Sequence, residues 1–491
     1  MSGRRSALLF ALVSSVAFAG PPDDGLPNEA KKLPFKDDAR IEFVPSSAAD
    51  WKTLAAFWNE TTEQATDPNT GGKVAKRLVK VKMPLGLTAA PTIPAENPMT
   101  VAKWELGKTL YFHKGLSSNG TRSCASCHDP ARGWTDQSKT SSGINDQLGP
   151  INSPTVINSA FNRFQFWNGR ADSLENQAQG PVGNSLEMFA GKGDAWEEAV
   201  ARVKQDAGLV KRFEQVFGHG PSRDAAAKAI AAYERTVLSG NSIYDRAEGH
   251  KRKRVSDDDG GTEKNELTGA DVAKAITEAF AAKDVNALKA LKLDPQADAG
   301  KAAAVGGQVA GGRALFFGTA RCSNCHVGDG FTDHGFHNLG VGAKDGKLPK
   351  GEFGRYDAQP TGHKDPGVVG AFKTPGLRGL LDTAPYLHDG SETTLEAVID
   401  FYDRGGNVNE FLSPKMRDTT AEAAYRKAKA EGQSPELPKG AILDRANNPI
   451  IPFALKLTAD EKANLVMFLR ALQGDPVDRT VADEKWFPTS K

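Results

Sequence analysis

Every cysteine of this 491-residue chain falls in one of two short motifs, Cys124-Ala-Ser-Cys127-His128 and Cys322-Ser-Asn-Cys325-His326. Cys-x-x-Cys-His is the attachment site of a c-type haem: both thiols add to the haem vinyls, and the adjacent histidine becomes an iron ligand. A zinc site is the rival, but zinc takes close pairs of ligands without a histidine fixed after each pair. Two copies with no cysteine left over predict two covalent haem c groups. Cys124, Cys127, Cys322 and Cys325 would carry them, with His128 and His326 on the irons. The 50 glycines and 28 prolines imply many turns and long loops wrapped around these rigid groups.

Lys and Arg (62) nearly balance Asp and Glu (61), which argues against a nucleic-acid binder working by overall positive charge. Arg4 and Arg5, an apolar run from Ala7 to Phe18, and Ala17-Phe18-Ala19 describe a secretory signal peptide over residues 1–19. The alternative is an uncleaved anchor, but the run is short for a span, and no later stretch approaches ~20 apolar residues. Export to the periplasm is the expectation, with no membrane span in the mature chain.

The motifs lie about 200 residues apart, so each is expected to seed its own domain. The predicted organisation is an N-terminal extension (20–98), a first haem domain (99–245), an insertion or linker (246–309), a second haem domain (310–475) and a C-terminal tail (476–491). Glu105–Phe112 and Gly311–Phe317 precede the two motifs and are loosely alike, which suggests an internal duplication. Helical patterns recur at 195–217, 224–239 and 266–292, and Thr458 with Glu461 forms a capping box for another helix. The insertion holds the basic run His250–Arg254 and the acidic run Asp257–Asp259. It reads as a solvated linker with one surface helix, docking of a charged partner being the alternative. A polar stretch near 410–450 is uninformative.

Between Asp129 and Glu187 there is neither histidine nor methionine, so the natural source of a sixth ligand to the first iron is missing. Peroxide or another small ligand could reach that iron. His113, upstream, is the remaining candidate ligand, though it reads more simply as a surface residue. Further on come Asn152-Ser153-Pro154-Thr155, Trp167-Asn168-Gly169-Arg170, Leu174-Glu175-Asn176-Gln177, Pro181 and Glu187-Met188. After His326 the chain reads Phe372–Arg378 and then Thr383-Ala384-Pro385-Tyr386-Leu387-His388-Asp389-Gly390. Leu395, Val398, Ile399 and Tyr402 then mark one apolar face of a helix over 393–406, closed by Gly405-Gly406.

In order and spacing these stretches resemble the bacterial dihaem cytochrome c peroxidase/MauG family, over roughly residues 83–245 and 310–405. The resemblance implies a mainly α fold of two cytochrome c-like haem domains packed together, with long loops and a helical, low-complexity insertion. It implies a peroxidase that uses hydrogen peroxide together with an electron-donor protein or a protein substrate. Glu187 matches the distal glutamate that moves a proton between the peroxide oxygens, a role one carboxylate can fill as base and then acid. Gln177 and Pro181 match residues lining that pocket, and Trp167 the tryptophan between the haems. Asn152, Thr383 and Pro385 match ligands of a calcium ion between the domains. Alone, Glu187 reads as a surface helix residue and Trp167 as core; the ordered set reverses both.

Two departures point to the MauG-like subtype. Many family peroxidases carry a histidine after the first motif that blocks the iron until the other haem is reduced. Ser142-Gly143-Ile144-Asn145-Asp146 stands there instead. Tyr402 occupies the axial-ligand position of the second haem, where the peroxidases have methionine and MauG-like members tyrosine. An ordinary buried tyrosine is the alternative, with His334, His337, His388 or Met416 as ligand. A hard, anionic phenolate favours ferric and higher states, whereas methionine sulfur raises the potential. The expected function is therefore storage of oxidising equivalents across both haems to oxidise a partner. A cytochrome c peroxidase fed by a small donor protein and a non-catalytic electron carrier are the rivals.

Overall fold

Alternating apolar residues Ile41, Phe43, Val79 and Val81 give the N-terminal segment one buried face, and it forms a small sheet. A computed structural model describes residues 39–66, 71–258, 261, 263–351 and 353–487. The expected signal peptide lies outside the described residues. Strand β1 (Arg40–Val44) pairs in parallel with β3 (Lys73–Lys82), and β2 (Trp58–Thr66) pairs antiparallel with β3, from Trp58 opposite Val81 to Thr66 opposite Lys73. Bonds from Ile41 N to Met99 O (3.0 Å) and Val101 N to Ala39 O (2.9 Å) anchor this sheet to the first long helix, Val101–Phe112. The strands of this extension are short of contrast in the sequence because β2 is mostly exposed and polar.

The rest is mainly α, in two apolar cores. The first is built on helices Val101–Phe112, Ala195–Val203, Ala207–Phe217 and Arg223–Glu234. Helix Arg223–Glu234 is alanine-rich, and it approaches Val101–Phe112 so closely that a Cβ on Gly107 would lie 1.8 Å from the carbonyl oxygen of Ala229. The second core repeats this arrangement with helices Ala302–Phe317 and Ala459–Ala471, where a Cβ on Gly312 would lie 1.9 Å from the oxygen of Asn464. One turn along, Tyr111 meets Tyr233 at 5.1 Å between ring centroids, and Phe316 meets Phe468 at 5.0 Å. The loosely similar segments before the two motifs thus occupy equivalent places, as an internal duplication requires.

Residues 246–309 are not a solvated linker. Helices Ile243–Ser256, Gly269–Ala281 and Val285–Ala290 bury Ile243, Ala247, Val272, Ala275, Ile276 and Leu288 in the second core. The alanine-rich composition that looked like low complexity is the small-residue face of packed helices. Much of the basic run is spent within the fold: Lys251 pairs with Glu248 (2.5 Å), Lys253 with Asp257 (2.6 Å) and Arg254 with Asp271 (2.9 Å). The capping box at Thr458 and Glu461 is present. Near 410–450 a helix, Thr419–Ala430, is tied down by a pair between its buried Glu422 and Arg417 (2.7 Å). No helix among the described residues is long and apolar enough to cross a membrane.

A buried ion pair fastens the parts together. Arg378 donates to both carboxylate oxygens of Asp245 (2.7 and 2.9 Å), and also to the carbonyls of Asp329 (2.6 Å) and Gly86 (3.2 Å). Replacing Arg378 by alanine leaves the Asp245 carboxylate buried without its cation, at a cost of about 3–5 kcal/mol. The expected result is a large fall in the urea midpoint of R378A. An unchanged midpoint would show that water compensates Asp245.

Candidate haem sites

Each haem motif is presented by a short turn. Ser123 and Ser126 form a capping box around Cys124–Cys127, so the two thiols sit one helical turn apart and His128 follows at the end of the turn. Nδ1 of His128 faces the hydroxyl of Ser153 (3.2 Å) and the carbonyl of Trp134 (3.4 Å). The Ser153 hydroxyl donates to the carbonyl of Cys127 (2.9 Å), which leaves its lone pairs for an Nδ1–H. At the second motif, Nδ1 of His326 lies 2.8 Å from the carbonyl of Phe331. Both acceptors stand on left-handed residues, Trp134 at φ 60° and Phe331 at φ 54°, which turns the carbonyl back toward the imidazole. A hydrogen bond of this kind fixes the tautomer and leaves Nε2 as the metal-facing lone pair. Burial pushes both histidines below their ordinary pKa, into the neutral form that ligates.

The four thiols are half-buried, each pair beside its motif histidine. Burial pushes all four up, Cys127 to about 11 and Cys322 to about 12. None is in a disulfide.

A cavity of about 490 Å³ adjoins the second motif, lined by Cys322, Cys325, His326 and Tyr402 among others. Tyr402 projects from helix Leu395–Asp403, shorter than the predicted 393–406 and begun by Thr394, whose hydroxyl accepts from Ala397 N. Burial first, then the neighbouring Cys325 and Cys322, pushes its phenol well above the ordinary value. The expected alternatives His334, His337, His388 and Met416 line the same cavity. Of these, His337 is engaged by Asp333 at 2.9 Å, and His388 is stacked on Phe372 at 3.5 Å between centroids.

Trp167 lines the cavity at the second motif. Its indole N–H donates to the carbonyl of Asn152 (2.9 Å), next in sequence to the Ser153 that touches His128. Its ring lines the second cavity, 6.3 Å from His388. Asn152, Thr383 and Pro385 line that cavity too. Asn152 is buried and donates its amide N–H to the carbonyl of Ser138 (2.8 Å), which turns its oxygen away from that bond.

Glu187 is half-buried beside the first motif. Burial pushes its carboxyl up, with Arg170 and a hydrogen bond from Asn184 acting against the shift. Its charge acts on Cys124 and Cys127, which places it near the first motif. The segment where a blocking histidine would stand packs on the same strand of chain: Ile144 N donates to Glu187 O (2.8 Å), and a Cβ on Gly143 would lie 1.8 Å from Leu186 O. Gln177, on helix Leu174–Gln179, and Pro181, at the start of the next turn, precede Glu187 in the chain. No hydrogen bond joins Gln177 to Glu187. His113 caps the end of helix Val101–Phe112, its ring folded against Gly115.

Some participants were not singled out from the sequence. Arg170 and Lys373 lie inside quoted stretches but carried no signal of their own. Arg170 faces Glu187 electrostatically, and Lys373, buried in the second cavity, is pushed down to about 8. Ser153 acts through its hydroxyl, and the carbonyls of Trp134 and Phe331 through backbone geometry that no residue type reveals.

A family model described as di-haem cytochrome c peroxidase matches residues 101–253. Methylamine utilization protein MauG of Methylorubrum extorquens is 32% identical over 329 residues, covering 66% of this chain and 75% of that protein. Cytochrome c551 peroxidase of Nitrosomonas europaea is 33% identical over 331 residues, covering 67% of this chain and 81% of that protein. The chain belongs to the dihaem cytochrome c peroxidase/MauG family. Two c-type haems follow as its cofactors, and peroxidase-type oxidoreductase chemistry as its class. Among solved structures, a MauG-like protein associated with microbial copper homeostasis aligns with a TM-score of 0.56 at 27% identity, over 81% of this chain and 97% of that one. The relatives carry both names, MauG and peroxidase, so the subtype rests on this chain's own residues.

Proposed function

We propose that this family member is an exported enzyme of the MauG-like subtype, which reacts with hydrogen peroxide while fully ferric and holds the oxidising equivalents across both haems to oxidise a partner. The observation that carries the proposal is Tyr402, whose phenol lines the second-haem cavity beside the motif cysteines Cys322 and Cys325. Cys124, Cys127 and His128 would hold the first haem, and Cys322, Cys325, His326 and Tyr402 the second. The bound haems supply the site where peroxide is reduced and the store for the electrons withdrawn. Glu187 takes the proton from the near peroxide oxygen and delivers it to the departing one, while Gln177 and Pro181 shape that pocket. Trp167 passes electrons between the sites. Calcium fits the oxygen donors Asn152 Oδ1 and the carbonyls of Thr383 and Pro385, a hard donor set suited to a hard cation.

The test compares peroxide consumption by the fully ferric protein with that by protein reduced by one electron. Equal rates are expected, because Gly143–Asp146 contains no histidine to displace. Reaction only after reduction, followed by turnover with a reduced carrier cytochrome, would return the chain to the donor-fed peroxidases that some relatives are named for.

A further inference from the structure

The duplication provides an internal comparison of the two aromatic clusters. Around the first motif Tyr111, Tyr233 and Trp134 meet at 5.1, 5.8 and 6.2 Å between centroids. Around the second, Phe316, Phe468 and Phe331 meet at 5.0, 6.1 and 6.4 Å in the same arrangement. Packing is thus satisfied by three phenylalanines, yet the first domain uses three rings that can be oxidised. The difference extends outward. Trp104, where the second domain has Val309, lies 5.8 Å from Tyr233 and 5.0 Å from Trp58. Trp486, from the C-terminal tail, lies 6.0 Å from Trp58. Trp58 and Trp486 are half-buried and reach solvent.

We infer that Trp134, Tyr111, Tyr233, Trp104 and Trp58 form a second electron route, from the proximal side of the first haem to a surface site at Trp58 and Trp486 where a one-electron donor is oxidised. The route begins at ligand level: the Trp134 carbonyl faces Nδ1 of His128, and the Tyr111 hydroxyl donates to the carbonyl of His128 (2.8 Å). The tyrosines serve as bridges and not as resting places. Tyr111 donates to a carbonyl and so does Tyr233, to Val481 O (2.9 Å), and a carbonyl cannot keep the proton a phenol sheds on oxidation. The ammonium of Lys108 lies 5.2 Å from the ring of Trp104 and 5.8 Å from that of Trp486, which disfavours a positive charge on either. Trp58 is left as the preferred terminus. This inference rests on the reaction with peroxide proposed above and is independent of Trp167 and Tyr402.

The electrons balance simply. Reducing one peroxide to two waters takes two electrons and two protons, and a donor at Trp58 gives the electrons one at a time. Without a donor, the Trp58 indole loses both electrons itself. One C–H bond becomes C–OH with oxygen from water, and the two protons released are those the peroxide consumes.

The test treats fully ferric, haem-loaded protein with peroxide without any reductant, follows the haem absorption, and maps added oxygen by peptide mass spectrometry. One added oxygen at Trp58 is expected. In Trp58→Phe the mark moves to Trp486; in Trp104→Phe both marks are lost while the haem absorption still changes. An undiminished mark at Trp58 in Trp104→Phe, or a mark that stays off Trp486 in Trp58→Phe, overturns the route. So does a wild-type protein whose haem responds while both tryptophans stay unmarked. A haem that does not respond overturns the peroxide step and the route with it.

Discussion

Glu187→Gln is expected to slow the reaction of the ferric protein with peroxide by about 10²–10⁴-fold, the usual range for loss of a positioned acid–base group. Glutamine keeps the shape and can still meet Asn184, but it cannot accept and return a proton. The pH profile supplies a second signature. Burial raises the Glu187 carboxyl above its ordinary 4.5, with Arg170 and Asn184 only partly opposing it. The proton must first be accepted, so the active form is the carboxylate. The rate therefore falls as pH drops through that raised value, earlier than an exposed glutamate would allow. In E187Q this acid limb disappears. Stopped-flow absorption across pH, on wild type and variant, measures both. A variant that reacts at the wild-type rate would remove Glu187 from the mechanism and leave Asn184 and Arg170 as ordinary loop contacts.

Tyr402→Met carries the second large effect. An anionic phenolate stabilises ferric and more oxidised iron, and a thioether stabilises ferrous iron. The expected outcome is a rise in the second-haem potential on the order of 0.1 V or more, within the ~0.8 V that axial ligands span. The haem attached at Cys322 and Cys325 would then become a good electron acceptor and a poor store of oxidising equivalents. Potentiometric titration of each haem band checks this. A second-haem potential unmoved by the substitution would mean that Tyr402 is a buried core phenol and that His334 or Met416, in the same cavity, is the ligand.

The covalent chemistry was the legible part of this protein. Two Cys-x-x-Cys-His motifs announce their cofactor because the thiols and the histidine must be consecutive on one turn, and that constraint is written in spacing. Helical periodicity from Leu395 was legible too, and the helix it predicts carries Tyr402 to the lining of the second cavity. The groups that orient the two histidines were not. The carbonyls of Trp134 and Phe331 reach their histidines through left-handed backbone, and neither residue type favours that conformation. The helical pattern at 266–292 is present as Gly269–Ala281 and Val285–Ala290, but its burial was not legible, because alanine and lysine read alike in a solvated linker and in a packed helix with a small-residue face. Only their contacts with helix Ala302–Phe317 and with Ile243 and Ala247 decide between the two. The sheet at 40–82 was missed because most of β2 is exposed and polar, so its pairing with β3 carries little apolar signal.

The most direct test of the central claim is electron paramagnetic resonance on fully ferric protein frozen soon after mixing with one equivalent of peroxide, with no reductant present. Equivalents shared across both haems predict that the ferric signals of the two irons fall together in wild type, and that only the first falls in Tyr402→Met. A second-haem signal that stays at full intensity in wild type would contradict the account, and would leave Tyr402 without a part in the chemistry.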